Sequence, residues 1–157
     1  MLERLTDFAN KELLIKVNLN SNDTFFDSKN KIICVHYKET KTNKCFSLLH
    51  EFGHVIQPVS FFQVDNKNIN ICKTLILQQE LNAWELGWLI AKYLGLDTEL
   101  SKNDYIKESS LSIKSYIEMI YNADINYIRS SAVDYKINES DRLPEWVKMY
   151  ELITCGN

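Results

Sequence analysis

The stretch from Phe46 to Pro58, FSLLHEFGHVIQP, constrains this chain more than any other. Apolar Phe46, Leu49, Phe52, Gly53 and Ile56 recur at three- and four-residue intervals, the period of an α-helix. Pro58, which has no backbone donor, ends the pattern. On such a helix His50 and His54 lie on one face and aim two imidazoles at a single point. Glu51 projects roughly 100° around the helix from His50, beside that point and not onto it. Two imidazoles at this spacing suit a zinc ion, and a carboxylate placed beside them suits a general base acting on water.

Composition bounds the rest. With 157 residues, 45% hydrophobic and 25% charged, the chain reads as one globular domain over 1–157, its core about residues 1–95 and a helical extension about 101–157. The formal charge of −3, with Lys and Arg scattered, leaves no basic face for a phosphate backbone, so direct nucleic-acid binding is not expected. No apolar run approaches the roughly 18 residues of a membrane span, and the first residues, MLERLTDFANKELLIKV, are charged where a signal peptide is apolar. A cytoplasmic location is the expectation. Cys34, Cys45, Cys72 and Cys155 are widely spaced, with no CxxC pair, and read as reduced, buried thiols.

Along the chain, residues 1–12 have helical spacing and precede the β-leaning LLIKVNL. TFFDSKNKIICVHY predicts two short strands around the turn DSKN. After the His-Glu-x-x-His helix and the less regular VSFFQVDNKNIN, an apolar stretch from about Ile71 to Leu94 predicts a long buried helix capped by Gly95. Residues 101–130 predict one helix or two, and DRLPEWVKMYELI a last short helix with Pro144 in its first turn. The class is α+β, with helices dominating a small N-terminal sheet.

A catalytic zinc needs a third protein ligand and one open position. No histidine follows His54, so that ligand is an acidic residue, Cys72 or the upstream His36. Glu80, on the long helix in QQELNAWELGWLIAKYLG, is the best candidate. Ala83 and Gly87 follow it one and two turns on, a stripe of small residues that lets two helix backbones approach closely. Glu85 falls on a different face, and Asp65 lies in a polar loop.

These residues resemble the ImmA/IrrE family of metallopeptidases. CFSLLHEFGH is similar to that family's His-Glu-x-Gly-His segment with its aromatic and small-hydroxyl lead-in, and ELNAW to its downstream Glu-x-x-Ala element. The likeness covers about Phe25 to Leu94; the C-terminal third has no match. It implies a minimal gluzincin-like zincin fold, zinc held by His50, His54 and Glu80, and Glu51 as the base in peptide-bond hydrolysis. It also implies a protein substrate such as a repressor or regulator of a phage, mobile element or stress response. The chain departs from the pattern at Trp84, where asparagine is usual, and at Gly87, where alanine is frequent.

Something must also stabilise the oxyanion, and His36 and Tyr93 are candidates because they are polar and read as lying near the cleft. An extended substrate would add a strand to an edge of the sheet, for which KIICVHY is the expected edge. Two alternatives from other classes are a zincin-scaffold binding protein, an antirepressor or host-factor inhibitor that occupies a partner without cutting it, and a metal-free helical interaction domain.

Overall fold

A computed structural model describes residues 1–58, 69–123 and 142–155. Five helices and three strands occupy those residues: α1 (Leu2–Lys11), β1 (Lys16–Ser21), β2 (Phe25–Asp27), β3 (Ile32–His36), α2 (Lys41–Ile56), α3 (Ile69–Tyr93), α4 (Lys102–Asn122) and α5 (Pro144–Cys155). The architecture is α+β, consistent with a small zincin-like fold.

The β2–β3 hairpin turns on Asp27, whose carboxylate accepts hydrogen bonds from the Asn30 backbone and side-chain amides at 3.0 and 2.7 Å. β3 then pairs antiparallel with β2 and parallel with β1, giving the order β1-β3-β2. KIICVHY is therefore the middle of the sheet and not its edge. Ile33, Cys34 and Val35 are buried in sequence along it, as a strand covered on both sides requires. Among the described strands the edges are β1 and β2.

α2 starts where Thr40 accepts a hydrogen bond from the Asn43 N–H at 3.2 Å, a side-chain cap for an otherwise orphaned donor. Nearly all of α2 from Cys45 to Ile56 is buried, packed between the sheet and α3. α3 ends as Gly95 adopts φ +63°, with Leu96 N–H donating to Ala91 O and Gly95 N–H to Lys92 O, both at 2.8 Å. This pair of bonds closes the last turn, and the left-handed backbone there favours glycine.

The pairing of α2 with α3 is the most extensive contact among the described elements. A Cβ on Gly53 would meet the Ala83 backbone, and one on Gly87 would meet Leu49 O at 2.5 Å. Pairing 53 with 83 and 49 with 87 means that the helices run antiparallel with their backbones in contact. The Ala83 and Gly87 stripe does permit this approach, and Gly53 supplies its counterpart on α2.

One core takes in α1, β3, α2, α3, Tyr105 of α4 and α5. Trp146 of α5 is fully buried, donates from Nε1 to Leu13 O at 2.6 Å, and meets Phe26 edge-on at 5.8 Å. Cys72, Ile76 and Ile120 form a smaller cluster where the start of α3 meets the end of α4. Three of the cysteines are buried, whereas Cys155 is exposed at the end of α5. No described helix is long and apolar enough to cross a membrane.

Candidate metal centre

The antiparallel contact of α2 and α3 brings Glu80 opposite the histidine pair. His50 Nε2 and His54 Nε2 lie 3.1 Å apart, and Glu80 Oε2 is 3.2 Å from the first and 3.5 Å from the second. All three residues are buried, Glu80 completely. Beyond the two imidazoles, neither carboxylate oxygen of Glu80 has a hydrogen-bond partner among the described residues. A buried carboxylate without donors is expensive unless a cation faces it. Two ring nitrogens and one carboxylate oxygen converging in this way could hold a metal ion, and this is the only such cluster among the described residues.

Without a metal, the same residues balance their charge as an ion pair. Burial opposes the charge on His54, but attraction and hydrogen bonding to Glu80 outweigh it and raise the His54 pKa to about 9. Burial likewise opposes ionisation of Glu80, and His54 and His50 outweigh it, holding the carboxyl well below its usual range. Glu51, next to this pair and 7% exposed, is pushed upward: burial is the main cause, and the charge of Glu80 adds to it against the pull of the two histidines.

A pH dependence follows for the metal-free protein. The folded-state pKa of His54 lies above the ordinary 6.5, so its contribution is full below 6.5 and is lost as pH rises through about 9. The folded-state pKa of Glu80 lies below the ordinary 4.5, so its contribution is present above 4.5 and fades as pH falls through the folded value. Chelator-treated protein is expected to be most stable between pH 4.5 and 6.5 and to melt at progressively lower temperature from 6.5 to 9. Metal-loaded protein is expected to gain stability over that upper window, because a ligating imidazole must shed its proton. A chelated sample whose melting temperature stays level from pH 6.5 to 9 contradicts the ion pair.

The other expected residues fall elsewhere. Tyr93 is half exposed on α3, 13 residues beyond Glu80 and so about 20 Å along the helix, which removes it from the oxyanion role. His36, at the end of β3, accepts a hydrogen bond from the Lys38 N–H at Nδ1 and stacks on Tyr37, outside the metal-competent cluster. Glu85 is exposed, and Cys72 lies eight residues before Glu80, about 12 Å along the helix. Asp65 is outside the described residues.

Residues that periodicity did not single out surround the cluster. Gln57 is buried and donates from Nε2 to Gln79 O at 2.6 Å, tying the end of α2 to the turn that carries Glu80. Glu39 accepts hydrogen bonds from Thr24 at 2.8 Å and from Ser47 at 2.7 Å, tying β2's approach to the first half of α2. The ring of Trp84 lies against His50. Ser47 left a trace in the sequence as the small hydroxyl residue ahead of His50, and Trp84 as a departure from the family pattern; Gln57 and Glu39 depend on contacts between distant segments.

Comparison with curated proteins and with solved structures gives no match. The family model of the IrrE N-terminal-like domain does match, over residues 12–123. That span reaches past Leu94 and includes all of α4, so the likeness extends further than the motifs alone indicated. Covering most of the chain and the whole His50, His54 and Glu80 cluster, it shows that the chain belongs to the M78 family of metal-dependent peptidases.

Proposed function

We propose that the protein is a zinc metalloendopeptidase that hydrolyses a peptide bond of a protein substrate. The observation that carries this reading is the ligand triangle. A tetrahedral shell with bonds of about 2.0–2.1 Å sets neighbouring ligand atoms about 3.3 Å apart. The three separations here are 3.1, 3.2 and 3.5 Å. Three protein ligands leave a fourth position open, as a catalytic centre requires.

Zinc at this centre supplies Lewis acidity toward water and a peptide carbonyl. Glu51 takes the proton from the attacking water and passes it to the leaving amine. Burial suits the residue to both tasks, because a carboxylate with a raised pKa releases and regains a proton near neutral pH more readily than an exposed one. A substrate strand, if it pairs with the sheet, adds to β1 or β2, since β3 has a neighbour on each side. Within this reading, a repressor or other regulator is the substrate class.

Glu51→Gln tests the assignment. The variant is expected to bind one zinc as the wild type does and to lose roughly 10²–10⁴-fold in hydrolysis, the usual range for a positioned acid–base group. Incubated with lysate of its native host, it should retain the substrate that the wild type cuts. A protein that acts by occupying a partner keeps its function in Glu51→Gln, and that result rejects the peptidase reading. Less than about half an equivalent of zinc after reconstitution favours a metal-free interaction domain.

A further inference from the structure

One face of the His50 imidazole is covered by Trp84, with ring centroids 4.4 Å apart and planes 26° from parallel. Trp84 is only 6% exposed. His50 Nδ1, the nitrogen that faces away from the cluster, is buried and has no hydrogen-bond partner among the described residues. A metal-ligating histidine is ordinarily held through that second nitrogen, which sets the tautomer and the ring plane. Here the ring plane is defined by a stacked aromatic face.

Trp84 is itself braced. Its carbonyl accepts a hydrogen bond from the Tyr105 hydroxyl at 2.8 Å, and its ring meets Tyr105 edge-on at 5.2 Å. Tyr105, buried at the start of α4, also packs edge-on against Phe46, one turn before His50 on α2. Support therefore runs from α4 through α3 to a metal-competent residue of α2.

We propose that Trp84 is the positioning residue of His50, fixing the imidazole plane by stacking in place of a hydrogen bond at Nδ1, with Tyr105 as its brace. The proposal rests on the reading of His50, His54 and Glu80 as a metal centre. An imidazole that gives its lone pair to a divalent cation becomes electron-poor, and an indole face attracts electron-poor and cationic groups more strongly than any other side-chain ring. The stack therefore favours the loaded state over the empty one. Trp84 acts through His50 and touches no reacting atom.

The test compares the full-length wild type with Trp84→Phe, Trp84→Met and Tyr105→Phe. Zinc affinity is read by competition with a chromophoric chelator, ligand geometry from the visible absorption of the cobalt(II) form, and folding from the melting temperature of metal-free protein. Phe and Met leave cavities of similar size, but only Phe presents a ring. Trp84→Phe is expected to hold zinc within about threefold of the wild type, and Trp84→Met to weaken it by roughly 10–100-fold, the range for losing a partner that orients a ligand. The two should melt within a few degrees of each other, with the cobalt spectrum altered only in the Met variant.

Equal zinc affinity in the Phe and Met variants overturns the proposal. Tyr105→Phe keeps the ring contacts and removes one hydroxyl, so it reads the brace without opening a large cavity. A severalfold loss of affinity is expected from it, and unchanged affinity overturns the brace even if Trp84→Met does not fold. A wild type that takes up no zinc rejects the metal centre and the proposal together, whereas a wild type that binds zinc beside an equally tight Trp84→Met rejects only the role of Trp84.

Discussion

Gly53→Ala is expected to destabilise the protein by about 3 kcal/mol or more, at the upper end of what overpacking a core produces. Helix propensity alone predicts the opposite sign, since alanine is favoured over glycine by about 1 kcal/mol in a helix interior. The contact decides. A Cβ at this position would stand 2.7 Å from the carbonyl carbon of Ala83 and 2.8 Å from its Cα, closer still to the carbonyl oxygen, and all three are backbone atoms that no rotamer change can move. Relief requires α2 and α3 to separate, and their interface is the most extensive among the described elements. Separation also pulls Glu80 away from His50 and His54, so any folded fraction should bind metal weakly. Denaturant titration against the wild type gives the stability difference, and a Gly53→Ala protein as stable as the wild type would sink the close-contact account.

Glu80→Gln has the second large effect, and it separates chemistry from folding. The amide keeps the shape of the side chain in a fully buried position but carries no charge. Loss of an anionic ligand is expected to weaken zinc binding by more than the roughly 10–100-fold that follows from losing an outer partner of a ligand, and hydrolysis should fall to background. The metal-free protein carries an independent signature. With the carboxylate gone, the burial that lowers the His54 pKa is opposed only by the smaller influences of Glu51 and Gln57. The decline in melting temperature between pH 6.5 and 9 should then shrink in the chelated variant. Isothermal titration with zinc and a pH series of melts check both parts. Wild-type zinc affinity in Glu80→Gln means that the third ligand is another residue.

The extent to which the site was legible follows from the range of the interactions involved. His50 and His54 share a face because four residues make about one helical turn, a local property that needs no knowledge of the rest of the chain. Gly95 marked the end of α3 for an equally local reason, its access to positive φ. Glu80 could be singled out because Ala83 and Gly87 advertised a close helix contact, and the structure shows that contact made with Gly53 and Leu49. Strand order could not be read in this way. KIICVHY carries the β-branched residues of any strand, and its place in the middle of the sheet follows from β1 pairing with it in parallel after the chain has passed through β2.

By itself, then, the sequence determined the helical face that carries two imidazoles, the strands and helices in order, and the small residues at which two helices can touch. Tertiary structure alone decided which strand is central, that Gln57 ties the end of α2 to the turn that carries Glu80, and that an indole braced by Tyr105 backs His50 where a polar partner is usual. The division has one physical cause. Periodicity and backbone preference act over a few residues, whereas stacking, strand pairing and the convergence of a carboxylate on two imidazoles join segments that are neighbours only after the chain has folded.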